Sequence, residues 1–148
     1  MSTVLDATDL TVEYRGHRTV RAVDGVSLTI AAGEVLALVG ESGCGKSSTA
    51  RAVIGMERPH SGSVLFRGNP VPPLGLRRRS TELTAMQMVF QDPNSSLNPR
   101  KRVGDQIADG VAAAKSRGLA SDGPRHWLGA VGLDPAMVSR YPHQFSGG

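Results

Sequence analysis

The stretch GESGCGKSS fits the pattern G-x-x-x-x-G-K-[ST] through Gly40, Gly45, Lys46 and Ser47. Glycine accepts positive φ, so such a loop can curl until its backbone N–H groups point at phosphate oxygens. The helix that follows adds a partial positive charge at its N-terminus. Lys46 supplies a full charge for the β- and γ-phosphates, and the Ser47 hydroxyl is a ligand for Mg²⁺. The stretch predicts a phosphate-binding P-loop, the Walker A motif.

The predicted binding residues are the whole stretch: Gly40, Glu41, Ser42, Gly43, Cys44, Gly45, Lys46, Ser47 and Ser48. Cys44 occupies a loop position that any small residue could fill. As the only cysteine, it has no partner in this chain for a disulfide.

The segments on either side of the loop have the character that a P-loop needs. Residues 35–39, a continuous aliphatic run, predict a strand covered on both faces. Residues 47–54 predict a helix that ends at Gly55. Apolar and polar residues alternate in 9–14 and 26–30, which predicts half-buried strands. Two further short strands are predicted within SGSVLFRG, residues 61–68, and at 86–90.

The last third of the chain is helical in pattern. Val103, Ile107 and Val111 recur at helical spacing, and residues 127–131 indicate a second helix. Trp127 is predicted to lie in the core of this helical part. Asp134 followed by proline predicts an N-cap and the first turn of a third helix.

Composition is that of a globular chain of 148 residues, with 39% hydrophobic and 20% charged residues. No apolar run approaches the roughly 20 residues of a membrane span. The net charge of +4 is compatible with polyanionic partners but does not indicate which kind. The three arginines at 77–79 indicate a solvated face, and the four histidines show no metal-ligand spacing.

Four motifs in order, LTVEY, GESGCGKSS, VFQDPNSSLNPR and YPHQFSGG, resemble the nucleotide-binding subunits of ABC transporters. Within that superfamily the chain is similar to the ATP-binding proteins of bacterial dipeptide and oligopeptide importers. The resemblance implies an α/β fold, a P-loop NTPase nucleotide-binding domain of the ABC type in truncated form. It implies a strand-rich ATP-binding core with antiparallel strands over 1–92, and a helical subdomain over 93–148.

The resemblance assigns roles to residues at matching positions. Tyr14 stacks on adenine, although the strand pattern by itself leaves a core tyrosine as an alternative. Lys46 and Gln91 are the catalytic residues, and Gln91 joins Ser47 near Mg²⁺ and the attacking water. Ser146, Gly147 and Gly148 begin the signature sequence, which caps the γ-phosphate of ATP on the other subunit of a dimer.

The implied partners are membrane-spanning permease subunits, a second ATP-binding subunit in a homo- or heterodimer and, indirectly, an extracytoplasmic solute-binding protein. No nucleic acid is expected. The implied location is peripheral, on the cytoplasmic face of the bacterial inner membrane. Two alternatives stay open: a soluble ABC-type ATPase acting on nucleic acid or ribosomes, and a non-catalytic nucleotide-binding remnant.

Two features of the resembled family are missing from the printed sequence. No aliphatic run ends in Asp-Glu, the pair that holds Mg²⁺ and polarises water, and the family's later switch histidine is absent too. We therefore expect the N-terminal part of a longer subunit, without ATPase activity of its own. We also expect poor folding, because residues 35–39 would form an unpaired apolar sheet edge.

Overall fold

The alternating segments near the start of the chain form the centre of an antiparallel sheet. In the computed structural model, which describes residues 2–75, 79–92 and 96–145, strand β1 spans Thr3–Tyr14 and β2 spans Val20–Ala31. The predicted strands at 9–14 and 26–30 are confirmed and extend further at their N-terminal ends. The chain divides into two units, Met1–Met86 and Gln87–Gly148.

A short hairpin completes the sheet of the first unit. Strand β3 spans Ser61–Phe66 and β4 spans Asn69–Pro70, and the strand order is β2-β1-β3-β4 with every neighbour antiparallel. Between β3 and β4, Arg67 and Gly68 both have positive φ, at 50° and 78°, as the tight hairpin turn of type I′ requires.

A bulge at Asp9 lets both halves of β1 face the same core. Leu5 and Ala7 are buried before it, and Leu10 and Val12 after it, so the buried positions change from odd to even numbers. The register with β2 shifts between Ala7 and Leu10, and Asp9 has a φ of 50°. An extra residue in one strand turns every later side chain to the other face of the sheet. The apolar positions change from odd to even numbers at the same point, so they face the core on both sides of the bulge.

Helix α1, Lys46–Val53, packs on this apolar face. It contributes Ala52 and Val53 to the core that β1 shares with Val64 and Phe66 of β3. The predicted helix and its end are confirmed, since Gly55 follows with a φ of 78°. Leu83, in a 3-10 helix over Glu82–Ala85, also belongs to this core.

Arg79 corrects the expectation of a solvated face at 77–79; Arg77 and Arg78 lie outside the described residues. Its guanidinium donates a hydrogen bond to the carbonyl of Ile54, which ends α1. Burial lowers the pKa of Arg79 below its ordinary value. A cation at this position also interacts favourably with the negative end of the helix dipole.

Two predicted strands are not present. Residues 35–39 and 86–90 have no regular secondary structure, and Val35, Val39 and Val89 are 93%, 92% and 96% exposed. A strand needs a neighbour to take its backbone hydrogen bonds, and no described segment pairs with either run. The expected exposure of the aliphatic run at 35–39 is thus seen, without the strand itself.

The helices of the second unit lie in the last third of the chain, where the sequence pattern predicts them. Helix α2 spans Val103–Ser116 and α3 spans Pro124–Ala130. Two 3-10 helices follow at Pro135–Ser139 and Pro142–Gln144. The Asp134 carboxylate caps the first of these, accepting a hydrogen bond from the N–H of Ala136 at 2.9 Å, so the predicted N-cap is confirmed.

Trp127 is not the core residue that the sequence predicts. Its side chain is 44% exposed, and its indole N–H donates to the carbonyl of Asp122 at 3.1 Å. Leu128, the next residue, takes the buried position and is 3% exposed. Across the described ranges, no helix has both the length and the apolar character to cross a membrane.

Replacing Leu10 by alanine should destabilise the first unit by about 2–5 kcal/mol, because the side chain is 1% exposed and its loss leaves a cavity. Leu74→Ala is the control, since Leu74 is 53% exposed, and should cost less than about 0.5 kcal/mol. Urea denaturation followed by circular dichroism measures both. An equal decrease in the free energy of unfolding for the two variants would show that Leu10 is not part of the core.

Candidate nucleotide-binding site

The P-loop takes its shape from glycines in the left-handed region. Gly43 and Gly45 have φ of 83° and 92°, and the N–H of Cys44 closes a turn onto the carbonyl of Glu41 at 3.4 Å. A Cβ on Gly45 would overlap the carbonyl of Ala22 in β2. Glycine is therefore needed at 45 for two reasons, its φ and the close passage of the loop along β2.

The N-terminus of α1 is left without a side-chain cap. Gly45 is the N-cap residue and has no side chain to offer. The N–H of Thr49 makes the first bond of the helix, to the carbonyl of Gly45 at 2.8 Å. For the N–H groups of Lys46, Ser47 and Ser48 the described residues offer no acceptor. These free donors and the helix dipole favour an anion at this end.

Lys46 forms no ion pair with an acidic side chain among the described residues. Its ammonium donates to the carbonyls of Gly40 at 2.7 Å and Glu41 at 2.5 Å, and lies 3.4 Å from the sulfur of Cys44. Carbonyl dipoles orient the ammonium but leave its full charge uncompensated. The ammonium can therefore exchange these carbonyls for phosphate oxygens.

Tyr14 is brought next to the P-loop helix by the end of β1. Its hydroxyl oxygen lies 3.1 Å from Ser48 Oγ and 3.5 Å from Glu57 Oε2, and its single proton can be donated to either of these two acceptors. The side chain is 37% exposed, so the alternative of a core tyrosine does not describe its position. A ring held beside the phosphate loop and open to solvent on part of its surface can receive a base by stacking.

A cleft of about 530 Å³ opens beside the ring of Tyr14, lined by Glu13, Tyr14, Arg15, Glu57, Arg58, Pro59 and His60. Most of these side chains are polar or charged, so the cleft suits a polar ligand. Glu13 and Tyr14 belong to the motif LTVEY, whereas the other lining residues lie outside the motifs that the sequence makes visible.

An ionic network holds one rim of this cleft. Glu13 accepts from Arg21 Nε at 3.1 Å and lies 3.5 Å from Nδ1 of His60, while Arg21 also contacts Asp24 at 3.1 Å. The hydrogen bond to Glu13 and the charge of Asp24 raise the pKa of Arg21 above its ordinary value. The charged guanidinium of Arg21 orients the Glu13 carboxylate.

The remaining predicted site residues are not among the described residues of the first unit. Gln91 belongs to the second unit, where its side chain is exposed. Ser146, Gly147 and Gly148 fall outside the described residues. Of the predicted set, the first unit brings together the P-loop and Tyr14, and the roles of all these residues stay predictions.

The family model for the ABC transporter matches residues 23–148, which include the whole P-loop. The chain belongs to the ABC transporter family. Its P-loop is therefore expected to bind ATP, the nucleotide from which the family's ATP-binding cassettes take their name. The predicted recognition and fold class are confirmed.

Individual relatives of this ABC protein are ATP-binding proteins of peptide transport. The di/tripeptide transport ATP-binding protein DppF of Pseudomonas aeruginosa (strain UCBPP-PA14) is 45% identical, covering 100% of this chain and 49% of the relative. The oligopeptide transport ATP-binding protein OppF of Bacillus subtilis (strain 168) is 46% identical over 88% of this chain and 44% of the relative. The chain spans about half the length of the curated relatives it matches.

Solved ABC cassettes share the fold. The ATP-binding cassette MJ0796, in a dimeric post-hydrolysis state bound to ADP and Pi, superposes with a TM-score of 0.72 at 23% identity. The match covers 96% of this chain and 63% of that chain. At this identity it supports the fold alone.

The residues of this ABC protein fit a nucleoside triphosphate with Mg²⁺. The free N–H groups at the start of α1 and the uncompensated ammonium of Lys46 suit phosphate oxygens. The Ser47 hydroxyl is exposed at the same helix end and suits a hard cation that takes its other ligands from phosphate and water.

Gly45→Ala should weaken ATP binding by about tenfold more than Gly43→Ala, as measured by titration with a fluorescent ATP analogue. Both substitutions force alanine into a left-handed conformation, which costs about 1–2 kcal/mol. Only at 45 does the new Cβ also collide with the backbone of β2; at 43 it meets open space. Equal affinities for the two variants would show that the approach to β2 does not shape the loop.

Proposed function

We propose that the chain is the ATP-binding part of an ABC importer subunit, which couples Mg-ATP binding and hydrolysis to the uptake of peptides or similar small solutes. The observation that carries this proposal is the P-loop, with its free N–H groups and its uncompensated Lys46. The relatives support the transport role, because their names describe peptide transport. The proposed location, peripheral on the cytoplasmic face of the cell membrane, follows from that role.

The phosphates are bound by groups that are already oriented. The N–H groups at the start of α1 receive phosphate oxygens, and the ammonium of Lys46 moves from the carbonyls of Gly40 and Glu41 to the β- and γ-phosphates. Ser47 would hold the cation. Mg-ATP, when bound, would supply the phosphoryl group, and its cation would neutralise phosphate charge. The loop thus pre-positions the donors, as efficient phosphoryl transfer requires.

Gln91 is proposed to act from the second unit. It follows the apolar run at 86–90 and begins the segment QDPNSSLNPR, whose resemblance to peptide importers supports the assignment. In the full subunit its amide would orient the attacking water near Mg²⁺. The loop that follows would contact the membrane-spanning permease subunits.

A dimer is proposed for the working state. Ser146, Gly147 and Gly148 would cap the γ-phosphate of ATP on a second ATP-binding subunit, identical or homologous to this one. Two structures of the cassette MJ0796 are described as dimeric, which supports this arrangement for the family. An extracytoplasmic solute-binding protein would deliver the solute to the permease.

Lys46→Ala should reduce affinity for Mg-ATP by more than about tenfold, because it removes the uncompensated charge at the loop. The control is Lys115→Ala in the last turn of α2, in the second unit, which should bind as the unaltered protein does. Isothermal titration with Mg-ATP measures both. Unchanged affinity in the Lys46 variant would contradict nucleotide binding at this loop.

Gln91→Ala should leave ATP affinity within about twofold and lower the hydrolysis rate by about 10²-fold or more, since a group that orients water acts in the transition state. The measurement is phosphate release by the full-length subunit assembled with its permease. A loss of affinity with unchanged turnover would place Gln91 in ground-state binding instead.

A further inference from the structure

We infer that Glu57 is a positioning residue, which acts through the hydroxyl of Tyr14 to hold the aromatic ring ready for the nucleotide base. This inference rests on the proposed function, in which Tyr14 carries the base. Glu57 Oε2 lies 3.5 Å from the phenolic oxygen on one side, and Ser48 Oγ lies 3.1 Å from it on the other.

The ring of Tyr14 needs such support because its backbone gives little. Tyr14 is the last residue of β1, and its partner across the ladder, Val20, is the first residue of β2 and is 59% exposed. Residues 15–19 between the strands belong to neither of them. When a side chain at a strand end must be ordered on binding, the protein binds its ligand less tightly. Ordering the side chain beforehand avoids that loss of affinity.

Glu57 is suited to the task because its own backbone is anchored at both sides. The N–H of Glu57 donates to the carbonyl of Arg51 in α1 at 3.2 Å, and the N–H of His60 donates to the carbonyl of Thr11 in β1 at 2.7 Å. The segment from 57 to 60 is thus tied to the helix at one end and to the strand at the other. Glu57 is half-buried as a residue and lines the cleft beside Tyr14.

Ser48 links the ring to the phosphate loop. It is the third residue of α1, and its N–H is one of the free donors at the helix N-terminus. The hydroxyl of Tyr14 therefore joins two anchors, the start of α1 and the segment that follows the same helix. The base platform and the phosphate cradle are held at one fixed separation by this arrangement.

The test compares Mg-ATP with inorganic tripolyphosphate, which has the phosphates without the base. In the full-length subunit, Glu57→Ala and Tyr14→Phe should each weaken Mg-ATP binding about 3- to 10-fold, the range of one hydrogen bond. Neither should change tripolyphosphate affinity. Glu57→Gln keeps an acceptor and should restore most of the ATP affinity. In the Tyr14→Phe background, Glu57→Ala should have no further effect.

Glu82→Ala is the control, because Glu82 is an exposed carboxylate of the first unit that accepts from Asn69 Nδ2 at 3.0 Å and does not line the cleft. It should leave the ATP-to-tripolyphosphate ratio unchanged. An equal loss for both probes in Glu57→Ala, or additive losses in the double variant, would overturn the inference.

Failure of the inference can be told apart from failure of the proposed function. If Tyr14→Ala weakens ATP binding while Tyr14→Phe and Glu57→Ala match the unaltered protein, the ring carries the base without help from Glu57. If Lys46→Ala binds both probes normally, nucleotide binding at this loop is wrong and the role of Glu57 falls with it.

Discussion

The close passage of Gly45 along the carbonyl of Ala22 sets the geometry of the whole site. It fixes the point where the loop passes β2 and α1 begins, since any side chain at 45 would collide with the sheet. From that point the first turn of α1 presents its free N–H groups, Lys46 reaches back to the loop carbonyls, and Ser48 meets Tyr14. The phosphate cradle is therefore a consequence of how tightly the loop packs on β2.

The bulge in β1 is the second constraint. Leu10, Val12 and Tyr14 alternate along the strand after the bulge, so Tyr14 continues the face that packs on α1. Without the extra residue at Asp9, the first half of β1 would turn its apolar side chains away from the core that the second half uses. The same backbone irregularity serves both the core and the position of the aromatic ring.

The segments at 35–39 and 86–90 show how little a local sequence pattern can predict about strands. Both have the composition of buried strands, yet the structure leaves them irregular and partly or largely exposed. Strand formation depends on backbone partners that a local sequence does not contain. Helix α1 forms where predicted because its hydrogen bonds lie within the segment itself. Arg79 shows the same limit. Its place in a run of arginines predicts a solvated side chain, but it contacts Ile54, 25 residues earlier.

The sequence by itself determined the P-loop, the helical character of the last third, and the strand segments at 9–14 and 26–30. Each of these depends on residues close together along the chain, whose spacing sets φ, periodicity or ligand geometry. Only the tertiary structure decided that Tyr14 lies beside Ser48 and Glu57, and that Glu13 and His60 form one rim of the cleft. Those residues are up to 47 positions apart (Glu13 to His60), and the register of β1 against its neighbours, with the packing of α1, brings them together. Strand register and helix packing depend on contacts summed over the whole first unit, which no local pattern specifies.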